Sequence, residues 1–141
     1  MSENVYIVAA RRTPIGAFQG TLSAASAPQL GAAAARAAID ASGLSAERIQ
    51  ETILGCVLMA GIGQAPARQA ALGAGVPQNV PATTINKMCG SALKALMMAS
   101  DQIRAGSADV ILAGGIESMS NAPYLLPKAR SGLRMGHAEL I

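Results

Sequence analysis

An α/β domain, built on a mostly parallel sheet with helices on both faces, is the fold class this sequence predicts. Three observations carry it. About half of the residues are hydrophobic and almost none are aromatic, so the apolar share rests on Ala, Leu, Ile, Val and Met. Those residues suit closely packed helices on a sheet better than a β-sandwich. Short, nearly continuous apolar runs alternate with helical patterns, as strands buried on both faces and joined by right-handed crossovers do. The 141 residues suffice for one domain with its own core.

Taken in order, Val5 to Ala10 is an apolar run ending at Arg11, Arg12, Thr13 and Pro14, and it reads as a buried first strand. A loop rich in Gly, Ser and Thr follows. Ser26 caps an alanine-rich helix that carries Pro28 in its first turn and stops at Gly43. Thr52 to Leu58 reads as a second strand, and a helix runs from about Ala65 to Gly73 with Pro66 near its start. The breaker segment "GAGVPQNVP" leads to a third short strand, Ala82 to Ile85. From Cys89 onward the pattern turns helical: Leu93, Leu96, Met97 and Ile103 share one face, and Lys94, Asp101 and Arg104 lie largely off it. Gly106 ends that helix, and Val110 to Ala113 makes a fourth strand closed by Gly114 and Gly115. After Glu117 the texture changes. "SMSNAPYLLPKARSGLRMGHAELI" has two prolines, four basic residues and no clear strand, and reads as an excursion from the core.

The charge balance narrows the partners. A net charge of +3 without a Lys/Arg run or interleaved aromatics argues against nucleic-acid binding. No uninterrupted apolar run reaches transmembrane length, and "MSENVYIVAARRTP" lacks the pattern of a secretory signal, so no membrane partner is expected. Two cysteines without such a signal point to a reducing, cytoplasmic setting in which thiols stay free.

Cys56, inside "TILGCVLMA", reads as a small hydrophobe in a buried strand. Cys89 differs: it follows Asn86, Lys87 and Met88, precedes Gly90 and Ser91, and sits where the third strand gives way to its helix. Open α/β sheets gather ligands and catalytic groups at that carboxyl edge. Unpaired N–H groups at a helix start favour a thiolate and are placed to receive a developing oxyanion. Spacing alone leaves both a nucleophile and a packed cysteine open. "GIGQAP", Gly61 to Pro66, has two glycines of a dinucleotide loop, but Pro66 stands in the third's place, and a plain turn is the better reading. His137, the only histidine, reads as a solvated or structural residue. With no second histidine and no third cysteine, a metal site is not expected, and no convincing base for Cys89 is visible.

The stretch "NKMCGSALKALMMASDQI", Asn86 to Ile103, resembles the acyl-enzyme signature of the thiolases. "VYIVAARRTPIGAFQG" is similar to that family's N-terminal strand and loop, "GQAPARQAALGAGVP" to the stretch before its third strand, and "ILAGGIESMSNAPYL" to its fourth strand and exit loop. The order of these motifs matches as well, and among thiolases the likeness is greatest to bacterial acetyl-CoA acetyltransferases. The resemblance implies the layered thiolase fold, of which this would be the first of two similar halves. Residues 1–117 would form the half-domain that carries the nucleophile, and 118–141 the truncated start of an inserted loop domain.

The implied reaction is a Claisen condensation of two acetyl-CoA to acetoacetyl-CoA and coenzyme A, reversible as thiolysis. By position in the signature Cys89 is the nucleophile, its backbone N–H one oxyanion donor. The family's activating histidine, its second cysteine and its oxyanion asparagine belong to the second half, as do most coenzyme A contacts. The 141 residues alone are therefore expected to be inactive. No metal, flavin or nucleotide cofactor is implied, since coenzyme A thioesters are substrates. A homodimer joined in part around Ala82 to Ile85, and a homotetramer through the region of Asn121 to Arg134, are expected for the full protein. Other readings are a degradative 3-ketoacyl-CoA thiolase of broader chain length, a decarboxylating ketoacyl synthase, a non-catalytic oligomerisation module and a redox-sensing cysteine.

Overall fold

The structure, a computed structural model, describes residues 4–141. Its first helix, α1 (Ala27–Ser42), starts where the sequence closes a capping box: Ser26 Oγ accepts from the Gln29 N–H at 3.4 Å, and Gln29 Oε1 accepts from the Ser26 N–H at 2.9 Å. Gly43 ends it in the left-handed region at φ 70°. Next come β1 (Glu51–Gly55), α2 (Pro66–Ala74), β2 (Ala82–Ile85), α3 (Ser91–Arg104) and β3 (Ile111–Gly115). The three strands pair in the order β2-β1-β3, all parallel, with Ile53 between Thr83 and Ala113.

Side-chain alternation along β1 separates two layers. Leu54 and Cys56 pack with Ala27, Ala67, Ala70 and Ile116 on the side of α1 and α2. Gly55 faces the other way, and a Cβ placed on it would come 2.5 Å from Ser91 Cβ of α3. The four residues Thr52–Gly55 are therefore all buried, as the continuous apolar run foretells, and helices cover both faces. The start of α2 draws on the sheet for its cap. Ala65 offers no side-chain acceptor, and Thr84 Oγ1 of β2 takes the Ala67 N–H at 3.0 Å.

The structure departs from the sequence expectations at Val5 to Ala10 and at the end of the second strand. Val5 to Ala10 forms no strand: Tyr6 and Ile7 are 76% and 77% exposed, and the segment runs along one side of a groove whose other side is the β3 edge. An apolar run signals a wish for burial, but a strand also needs a neighbour within hydrogen-bonding reach, and the 500 Å³ groove separates the two. The second strand ends at Gly55 rather than Leu58, because the N–H groups of Val57 and Leu58 turn to the Glu117 carboxylate. On α3 the buried residues are Ser91, Ala95 and Ala99, while Leu93, Leu96 and Met97 are exposed. The strands beneath present glycine, and so close an approach admits only small side chains.

The chain beyond Glu117 leaves the sheet, with short turns of 3-10 helix at Met119–Asn121 and Ala129–Ser131. Asn121 Nδ2 donates to the carbonyls of Ser23 and Ala25 at 2.8 and 3.0 Å, and Ser120 Oγ accepts from the Gln19 N–H at 2.8 Å. Leu125 and Ile141 exchange two backbone hydrogen bonds that close the remaining loop.

Two substitutions test this packing by urea unfolding. Gly55→Ala drives a methyl group into Ser91 and is expected to lower stability by about 1–3 kcal/mol. Thr52 is fully buried with no hydrogen-bond partner for its Oγ1 among the described residues. Thr52→Val keeps the shape and removes the stranded hydroxyl, so it is expected to raise the unfolding midpoint.

Candidate active site

Between Ile85, the last residue of β2, and Ser91, the first of α3, five residues make a hydrogen-bonded turn. Asn86 Oδ1 accepts from the Met88 N–H at 3.0 Å. The Lys87 carbonyl accepts from the Gly90 N–H at 3.1 Å, and the Met88 carbonyl from the Ser91 N–H at 3.0 Å. Met88 sits at φ 50°, a conformation that costs a non-glycine residue about 1–2 kcal/mol. The turn leaves Cys89 exposed at the carboxyl edge of the sheet, where the sequence predicts it, while Cys56 is buried as expected.

Cys89 lines a largely apolar pocket of about 520 Å³ with Met88, Cys56, Leu58, Glu117 and Met119. Glu117, two residues past β3, is the one carboxylate in its wall. Its Oε2 accepts from the Val57 N–H at 3.0 Å and its Oε1 from the Leu58 N–H at 3.2 Å, so its charge is spent on the loop that leaves β1. The Cys56 thiol also points at Oε1, with sulfur and oxygen 3.8 Å apart. Burial, then the neighbouring Glu117 charge and this hydrogen bond, push the thiol from 9.0 up to about 11. Cys56 is accordingly a poor nucleophile at neutral pH.

His137 is exposed and lies outside the pocket lining, so the structure does not bring it to Cys89. "GIGQAP" is a turn closed by α2: Gln69 Nε2 donates to the carbonyls of Ile62 and Gln64 at 2.9 and 2.8 Å, beside Gly63 at φ 84°. Among the described residues no group of three or more His, Cys, Asp and Glu side chains is arranged to hold a metal ion. Two residues of the site escape sequence reasoning. Glu117 had only one local signal, an acid directly after a glycine-ended strand. Ser91 was visible only as a small neighbour of Cys89.

The contrast between the two thiols is testable. Brief iodoacetamide treatment of the folded protein near pH 8 is expected to carbamidomethylate Cys89 and spare Cys56, as peptide mass mapping would read. The raised Cys56 value also has a sign. Above pH 9.0 the unfolded thiol ionises while the folded one keeps its proton until about 11, so its contribution to stability is complete below pH 9.0 and lost across that window. A Cys56→Ala protein is expected to lose that part of the alkaline decline in urea-unfolding free energy.

The comparisons with known proteins agree on one family. The model of the thiolase N-terminal domain matches residues 5–141. The chain is 58% identical over 139 residues to an acetyl-CoA acetyltransferase of Pseudomonas aeruginosa, covering 99% of this chain and 35% of that protein. To the acetyl-CoA acetyltransferase of Cupriavidus necator it is 53% identical over 138 residues, or 98% of this chain and 35% of the relative. In structure it resembles the Acat5 thiolase of Ascaris suum, solved in complex with coenzyme A, with a TM-score of 0.94 and 41% identity over 99% of this chain and 36% of that one. The chain thus spans about a third of the length of the relatives it matches. With its motifs in family order and its fold superimposing on a solved member, the chain belongs to the thiolase family.

Proposed function

We propose that this chain carries the nucleophile-bearing part of an acetyl-CoA acetyltransferase. Cys89 Sγ attacks the thioester carbon of acetyl-CoA; the new carbon–sulfur bond forms as the bond to coenzyme A breaks and the coenzyme leaves as its thiolate. A second acetyl-CoA, deprotonated at its methyl carbon, attacks the acetyl group and releases the Cys89 thiolate with acetoacetyl-CoA. The observation that carries the reading is the placement of Cys89, exposed on a hydrogen-bonded turn at the carboxyl edge and opening into an apolar pocket. Family membership and relatives named acetyl-CoA acetyltransferase support the same chemistry.

The histidine, second cysteine and asparagine of the family reaction are assigned to sequence outside these 141 residues. So are most contacts to coenzyme A, and the segment alone is inactive in turnover on this reading. Residues 1–117 then form the half-domain, and 118–141 open the loop domain. No metal or organic cofactor takes part. The full protein works in the cytoplasm as a homodimer or homotetramer. The outward edge of β2, Ala82–Ile85, one of the two edge strands of the sheet, is the proposed dimer contact, and the stretch from Asn121 to Arg134 the tetramer contact.

Intact mass spectrometry after brief exposure to acetyl-CoA tests the assignment. A single acetyl adduct that disappears in a Cys89→Ala variant is the expected result. An adduct that survives the substitution, or none in a preparation that includes the rest of the protein, overturns it.

A further inference from the structure

The nucleophile turn contains one side chain that touches the backbone on both sides of its strained residue. Ser91 Oγ accepts from the Lys87 N–H at 2.9 Å and donates to the Met88 carbonyl at 2.6 Å. Ser91 is itself 5% exposed and seated against Gly55, so the hydroxyl is held by the sheet rather than by the turn it supports. The Met88 carbonyl and the Cys89 N–H belong to one planar trans peptide and point in opposite directions. A hydroxyl that draws the carbonyl inward toward Ser91 therefore turns the Cys89 N–H away from it.

We propose that Ser91 is a positioning residue for acyl transfer, its hydroxyl fixing the Met88–Cys89 peptide so that the Cys89 N–H meets the oxyanion formed when a carbonyl carbon bonds to Cys89 Sγ. The inference rests on Cys89 being the residue acylated. Three features join in it. Met88 at φ 50° is a conformation that persists only where its surroundings over-determine it. The Asn86 side chain supplies one restraint from the exposed side, and Ser91 supplies two from the buried side. Without the hydroxyl the Met88 carbonyl keeps only the Ser91 N–H, and Lys87 loses its hydroxyl acceptor.

Two electrophiles separate this role from plain structural support. With p-nitrophenyl acetate, the Cys89 thiolate forms a bond to the acetyl carbon and p-nitrophenolate departs with the electron pair of the broken carbon–oxygen bond, by way of an oxyanion. With iodoacetamide, the sulfur displaces iodide from carbon and no oxyanion develops. In the whole purified protein, Ser91→Ala is expected to slow acetylation of Cys89 about tenfold while alkylation stays within about twofold, since only the first reaction uses the N–H. Asn86→Ala, on an exposed residue whose loss leaves the core untouched, is expected to shift the ratio of the two rates in the same direction by less, and it serves as the test should Ser91→Ala not fold. Two rate constants that fall together, or a ratio that does not change, overturn the inference and leave Cys89 as the acceptor. An acetyl label that misses Cys89 in the unsubstituted protein overturns the acceptor assignment and this inference with it.

Discussion

The contact that organises this molecule is the seat of the first turn of α3 on two glycines. A Cβ on Gly55 would meet Ser91 Cβ at 2.5 Å, and one on Gly115 would meet Ala92 Cβ at 2.7 Å. Both glycines end their strands, at the carboxyl edge. A helix that approaches this closely cannot slide along the sheet without driving a side chain into backbone, so its start is fixed against the strand ends. Cys89, two residues upstream of that start, inherits the precision. A Cβ at either glycine would push the first turn of α3 outward, and the nucleophile turn would reach the edge at another height.

A second fastening meets the first at the same edge. Glu117 reaches from the exit of β3 to the exit of β1 and gathers two backbone N–H groups and a thiol. The two strands are neighbours in the sheet but lie some sixty residues apart in sequence. The carboxylate thus holds the loop that forms part of the wall of the pocket Cys89 lines, and adds to burial in keeping the Cys56 thiol protonated. Two thiols line one pocket, and burial with one neighbouring charge makes Cys56 unsuited to nucleophilic work.

Much of this was legible in the residues, and the losses have physical reasons. Ser26, Gly43 and Gly106 marked helix ends because capping is local chemistry, read within a few positions. Cys89 was legible because a strand-to-helix junction places its residue at the carboxyl edge by topology alone. Val5 to Ala10 was misread because pairing belongs to two segments and the run describes one. The apolar stripe of α3 was legible, but the side that meets the sheet was not: amphipathicity tells which face is apolar, whereas Gly55, well before the helix in sequence, and Gly115, after it, decide which face reaches the sheet. Glu117 and Ser91 act through backbone groups, and backbone groups carry no side-chain signature.

The glycine seat also determines where the backbone of α3 comes closest to the strands. The helix is gripped on its sheet side through Ser91, Ala95 and Ala99, while Leu93, Leu96 and Met97 have their larger surfaces in solvent. Short side chains make few dispersion contacts each, so the grip is tightest where backbone meets backbone, at the N-terminal turn. The nucleophile turn thus enters α3 at the end that the two glycines admit to the sheet, and Cys89 takes its height from that approach.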